Sequence, residues 1–143
     1  MWVRCNPNPK RKHVPDCVIR ALAILFDKTW YKIFDDLYMV GRQEASVSCD
    51  DNVWGLYLHL NGFEQFMLPE SCPRCITVKD FAKQFPKGRY VIGTGSHAIA
   101  VIDGDYYDSW DSGNEVPSFF WRKNEKSKGG AFYWPSYQVT TIR

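Results

Sequence analysis

The sequence predicts an α+β fold from three observations. Its first half carries apolar residues at helical spacing behind capping residues. Its second half carries strand runs joined by a tight-turn signal, and no linker or internal repeat divides the chain. The expectation is a single domain over residues 1–143, with N-terminal helices packed on a C-terminal antiparallel sheet and residues 1–15 as an extended N-terminal segment.

In that opening segment, Asn6-Pro7-Asn8-Pro9 favours turns and extended backbone. Pro15-Asp16 reads as a helix start with Asp16 as N-cap, and Cys17 to Ile24 fails to alternate as a strand would. A mostly buried helix over 17–27 follows. Thr29 caps a second helix, with Trp30, Ile33, Phe34, Leu37 and Tyr38 at helical spacing and an end near Gly41. Asp50 or Asp51 caps a third, whose apolar face is Val53, Trp54, Tyr57, Leu58 and Leu60, and which stops at Asn61-Gly62. Phe63 to Leu68 reads as a short strand, Thr77 to Asp80 as a capping arrangement for a helix through Gln84, and Arg89 to Gly93 as a strand. Asp103-Gly104 between apolar runs predicts a hairpin of His97–Ile102 and Tyr106–Trp110. A polar loop from Asn124 to Gly130 precedes closing strands at Phe132–Trp134 and Tyr137–Ile142.

The length allows a proper core, with 45% hydrophobic and 16% aromatic residues among the 143. A net charge of +2 gives no strong polyanion signal. The run Lys10-Arg11-Lys12-His13 reads as a solvated basic loop, and the expectation is no nucleic-acid partner. No apolar run approaches the roughly 18 residues of a membrane span, and the first residues lack the apolar core of a signal peptide. Five cysteines without a dense spacing fit free thiols in a reducing, cytoplasmic compartment. Cys72-Pro73-Arg74-Cys75 supplies only two of the four soft ligands that a structural zinc needs. Two free loop thiols are its leading reading, with zinc or a reversible disulfide as alternatives. No cofactor is expected.

The chemistry gathers around the hairpin. With Asp103 and Gly104 as a two-residue turn, Ile102 faces Asp105, His97 lies opposite Trp110, and Asp108 shares the face of His97. A three-residue turn would place His97 and Asp108 on opposite faces. Cys17 falls in the first turn of a helix, where unpaired N–H groups and the positive dipole end favour thiolate over thiol. The ingredients are Cys17 as nucleophile, His97 as base and acid, and Asp108 as the group that orients His97. A small buried thiol is the other reading of Cys17. Gly95 and Ser96 leave room for an extended substrate beside His97, and Trp110 would shield the His–Asp bond from water. Trp30 and Trp54 sit at core spacing, so Trp110, Trp121 and Trp134 are the tryptophan candidates for substrate contact.

A cysteine at a helix start, followed some eighty positions later by Gly-Ser-His-Ala-Ile-Ala-Val-Ile-Asp-Gly, resembles the papain-like cysteine peptidase superfamily. Asp108-Ser109-Trp110 is similar to the Asn-Ser-Trp of papain, with Asp in the place that is usual for bacterial branches, including the bacteriocin-leader peptidases. Asp16 to Leu22 also resembles small phage and bacterial proteins thought to share this fold. The resemblance implies a papain-like fold and a Cys17–His97–Asp108 triad acting on a peptide, isopeptide or related amide of a peptide or protein substrate, including a host protein. The same triad runs deamidation and acyl transfer. A non-catalytic binding or inhibitor protein on a papain-like scaffold, encoded by a phage, is the alternative.

Two departures from the family pattern stand out. No Gln precedes Cys17, so Asn8, Asn6 or Lys12 would have to join the Cys17 N–H as oxyanion donor. The residues after the cysteine are Val18-Ile19 rather than the small, Gly-containing run of papain.

Overall fold

Local chemistry places most element boundaries. The computed structural model describes residues 1–69 and 73–124. In chain order these residues form β1 (Trp2–Arg4), α1 (Cys17–Phe26), α2 (Trp30–Glu44), α3 (Asp51–Leu60), β2 (Phe63–Met67) and α4 (Val78–Gln84). Then come β3 (Arg89–Gly93), β4 (Ala98–Ile102), β5 (Asp105–Asp108) and β6 (Phe119–Lys123). The architecture is α+β. The closing strands expected at Phe132–Trp134 and Tyr137–Ile142 lie outside the described residues.

The caps explain the starts. Thr29 accepts from the Lys32 N–H at 3.1 Å and opens α2, and Asp50 accepts from the Asn52 N–H at 3.0 Å and opens α3. Thr77 and Asp80 form a reciprocal capping box on α4. The second helix runs past Gly41 to Glu44, because Gly41 does not act as a stop. A Cβ there would sit 2.5 Å from the Ser46 carbonyl oxygen, so the missing side chain admits the returning chain, and Ala45 in the left-handed region ends the helix instead. Asp103 and Gly104 both have positive φ, 49° and 83°, as a type I′ turn requires. The register that follows pairs Ile102 with Asp105 and Ala100 with Tyr107.

The six strands lie in the order β1-β5-β4-β3-β6-β2. This corrects the expectation of a purely C-terminal, antiparallel sheet. The first strand belongs to the N-terminal segment and pairs parallel with β5, placing Arg4 beside Asp108, whereas β2 is the strand expected at Phe63–Leu68. A three-residue strand is too short to show alternation, and its pairing partner lies about a hundred positions away. The sixth strand, not anticipated from the sequence, inserts between β3 and β2 and is antiparallel to both.

Alternation along the central strands divides the core into two layers. Val91, Ala98, Ala100, Phe119 and Trp121 face α1, α2 and α3, while Ile92, Ile99, Val101 and Phe120 face α4. Gly93 is required here by packing, since a Cβ would fall 2.2 Å from the Phe119 ring. Three residues assigned to apolar helix faces are exposed: Leu60 at 66%, Tyr38 at 60% and Phe34 at 41%. Their positions continue the helical stripe beyond the arc that neighbouring elements cover. Among the described residues, no helix is long and apolar enough to cross a membrane.

Candidate active site

Three elements meet at one point. Cys17 is the first residue of α1, His97 immediately precedes β4, and Asp108 ends β5. The two-residue turn brings the last two together: His97 Nε2 lies 2.5 Å from Asp108 Oδ2. The other side of the imidazole hydrogen-bonds with the Cys17 thiol, since Nε2 is already taken and only Nδ1 remains. The Cys17 sulfur also accepts from the Ala98 backbone N–H. Trp110 covers the His97–Asp108 pair, its ring stacked at 5.2 Å from the imidazole, and is itself 46% exposed.

Charge follows from this arrangement. Burial is the largest single influence on Cys17 and opposes a thiolate. The His97 hydrogen bond, the Ala98 N–H and the positive charges of His97 and Arg20 together outweigh it, and the thiol lies below its ordinary value. Burial likewise opposes charge on His97. The hydrogen bonds to Asp108 and Cys17, and the charges of both, raise it from the usual 6.5 to about 9. The two shifts run in the same sense, toward a thiolate on Cys17 and an imidazolium on His97.

Asp16 occupies the N-cap position of α1, yet its side chain makes no cap hydrogen bond, which corrects the sequence expectation. It is buried and serves as a hub instead. One carboxylate oxygen accepts from Asn8 Nδ2 and from Trp30 Nε1, each at 3.0 Å, and the other lies 2.9 Å from Arg20 Nε. That last contact is a charge pair rather than an aligned hydrogen bond, because Nε itself has no hydrogen-bond partner. The Arg20 guanidinium then reaches the hairpin, donating to Ser109 Oγ and lying 3.6 Å from Asp108 Oδ1. Arg20 thus joins the helix start to the orienting carboxylate. Sequence reasoning passed over it, although one signal was present: a lone arginine between buried Val18, Ile19, Ala21 and Leu22 must find an anion.

The remaining candidates divide. Gly95 and Ser96 are exposed on the turn before His97, and a Cβ at Gly95 would meet nothing within 4 Å. Trp121 is 1% exposed beneath Gly55, so it is a core residue with no surface to offer a substrate. Trp134 and Cys72 lie outside the described residues. Cys75 is disulfide-bonded, not the free thiol expected. Among the described residues, no group of three or more potential metal ligands occurs.

Of the proposed oxyanion donors, Asn8 is buried and tied to Asp16, one residue from Cys17, while its Oδ1 accepts from the Lys10 and Lys12 N–H groups. Asn6 Oδ1 accepts from the Asn8 N–H at 3.1 Å. Lys12 enters this loop through its backbone, with its side chain exposed. Comparison with protein-family models, curated proteins and solved structures finds no match to the chain.

Proposed function

We propose that the protein is a papain-like cysteine hydrolase acting on a peptide, isopeptide or related amide. The observation that supports this reading most is His97 placed between Cys17 and Asp108, with one ring nitrogen given to each. The Cys17 thiolate attacks the substrate carbonyl carbon, and the carbonyl electron pair moves to oxygen. The uncapped N–H groups at the start of α1, with the second amide hydrogen of Asn8, are the oxyanion donors of this reading. His97 gives its proton to the leaving amine as the C–N bond breaks, leaving a thioester on Cys17. A water molecule, deprotonated by His97, then attacks the thioester; the C–S bond breaks, the acid departs, and the Cys17 thiolate and His97 imidazolium are restored. Asp108 holds the imidazole in one orientation throughout, and Trp110 keeps water from their hydrogen bond.

Alkylation by iodoacetamide tests the central step. At neutral pH, Cys17 is expected to react selectively over Cys5 and Cys49, the other free thiols among the described residues, and to lose most of that advantage in His97→Ala. Equal labelling of all three, unaffected by the substitution, removes the proposal.

One observation favours a second reading, a non-catalytic binding protein on the same scaffold: the Asn8 amide is already engaged by Asp16. A cellular effect that survives Cys17→Ala would select binding over hydrolysis.

A further inference from the structure

Beside Asp108 lies a recess of about 610 Å³, lined by Arg4, Asn6, Arg11, His13 and Ser109. Three of its five lining residues are basic types, and the polar groups of the other two are donors as well as acceptors. Among the described residues, neither Arg4 nor Arg11 has an ion-pair partner. Carboxylates do lie nearby. However, Asp108 is engaged by His97 and the Ser109 N–H, and Asp16 by Arg20, Asn8 and Trp30. The recess therefore presents unneutralised guanidinium groups to whatever enters it.

Its walls are held in place rather than left as loose surface charge. Arg4 ends β1 in register with Asp108, and the next residue is tied there by a 2.9 Å bond from the Cys5 N–H to the Asp108 carbonyl. Arg11 stands at φ 52°, a left-handed conformation uncommon for a residue with a side chain. Buried Asn8 holds it there: its carbonyl accepts from the Arg11 N–H, and its Oδ1 takes the N–H groups on either side, from Lys10 and Lys12. The third wall, Ser109, is one peptide bond from Asp108. Its hydroxyl accepts from Arg20, which leaves its own proton to donate.

We infer that this recess binds a carboxylate of the substrate, selecting acidic acyl substrates for the thiol site. Two arginines and a serine hydroxyl suit the planar, acceptor-only shape of a carboxylate. Ser109 is contiguous with Asp108, so the recess adjoins the His97–Asp108 pair. A side-chain carboxylate and a terminal carboxylate offer the same chemistry. The inference rests on the hydrolase reading for the fate of the bound chain, but not for the binding itself.

Binding is measured first on the full-length Cys17→Ala protein, where no thiol chemistry occurs. The probes are short acetylated alanine peptides carrying one internal glutamate or glutamine, and a second pair ending in a free acid or an amide. Backbone amide signals of residues 4–13 and 109 are followed. At least one acidic peptide should bind about tenfold or more tightly than its neutral match. That preference should fall with rising salt and approach unity in an Arg4→Gln, Arg11→Gln protein. The pair that discriminates assigns the carboxylate to side chain or terminus. Equal binding of acid and amide overturns the proposal, as does a response to a short oligonucleotide alone. Salt dependence in the Cys17→Ala protein keeps the outcome readable if the arginine variant fails to fold.

Peptidyl vinyl sulfones with the same glutamate and glutamine then label Cys17 in the unaltered protein, with the acidic probe expected to react about tenfold faster or more. Acidic peptides that bind while iodoacetamide ignores Cys17 would leave the recess standing and remove the hydrolase. Selective iodoacetamide labelling with no acidic preference in either assay would do the reverse.

Discussion

The N-termini of α1 and α4 begin with the same kind of local signal and end differently. At α4, Thr77 accepts from the Asp80 N–H while the Asp80 carboxylate accepts from the Thr77 N–H at 3.0 Å, so the helix start is closed by its own residues. At α1, Asp16 turns away from the helix to meet Arg20, Asn8 and Trp30. Its first-turn N–H groups are left without a side-chain cap, and the residue beside them is Cys17. A closed cap satisfies donors and contributes stability. An uncapped start next to a thiol keeps donors and positive potential available for a reacting group. In this molecule the carboxylate withdrawn from the cap does other work, since through Arg20 it ties the helix to the hairpin that carries His97 and Asp108.

That contrast is most easily broken at Arg20. Arg20→Met leaves Asp16 and Asp108 buried without their shared cation, and is expected to cost about 3–5 kcal/mol in urea unfolding. Cys17 alkylation at neutral pH should slow as well, because the Arg20 charge helps hold the thiol below its ordinary value. A variant as stable as the parent would show that the α1 start does not depend on this bridge.

Asp108→Asn sharpens the electrostatic side. In the parent protein, alkylation should change with pH in two steps, one where Cys17 ionises below the ordinary thiol value and one near 9 where His97 loses its proton. Without the carboxylate the upper step should move down by about one unit or more, toward the ordinary histidine value of about 6.5. An unmoved step would detach Asp108 from the imidazole. Stability is the poorer readout here. The raised His97 value favours folding fully below about 6.5, and that contribution is lost as pH rises through about 9. The lowered Cys17 value contributes above the ordinary thiol range and is lost as pH falls through its own, so the two oppose each other.

The smallest effect belongs to α4. Thr77→Ala should cost about 1 kcal/mol of stability, the usual worth of a cap, and leave the alkylation rate of Cys17 unchanged. A change in that rate would mean that the two helix starts are coupled.

Much of the scaffold was legible because its signals are short. Thr29, Asp50 and Thr77 act on N–H groups two or three residues away, and Asp103-Gly104 determines which residues face each other across its own hairpin. The same turn brings His97 to Asp108, whereas the helix start at Cys17 was read from Asp16 as a side-chain cap that does not form. Arg20 was legible in kind, as a buried cation in need of an anion, but not in partner. Trp121 was misplaced because its strand, β6, has no turn signal of its own and gains its identity by lying between β3 and β2.

By itself, then, the sequence determined where helices begin, how the hairpin turns, and that His97 and Asp108 share one face of it. These depend on backbone dihedrals and hydrogen bonds within a few residues. Only the tertiary structure decided that Asp16 would bridge rather than cap, and that Arg4 would lie beside Asp108. It alone brought Arg11 and Ser109 to one recess. Such outcomes rest on groups up to about a hundred positions apart, whose meeting is set by how the helices and the sheet pack. At the start of α1, a distant cation outcompeted the nearby N–H groups for the Asp16 carboxylate.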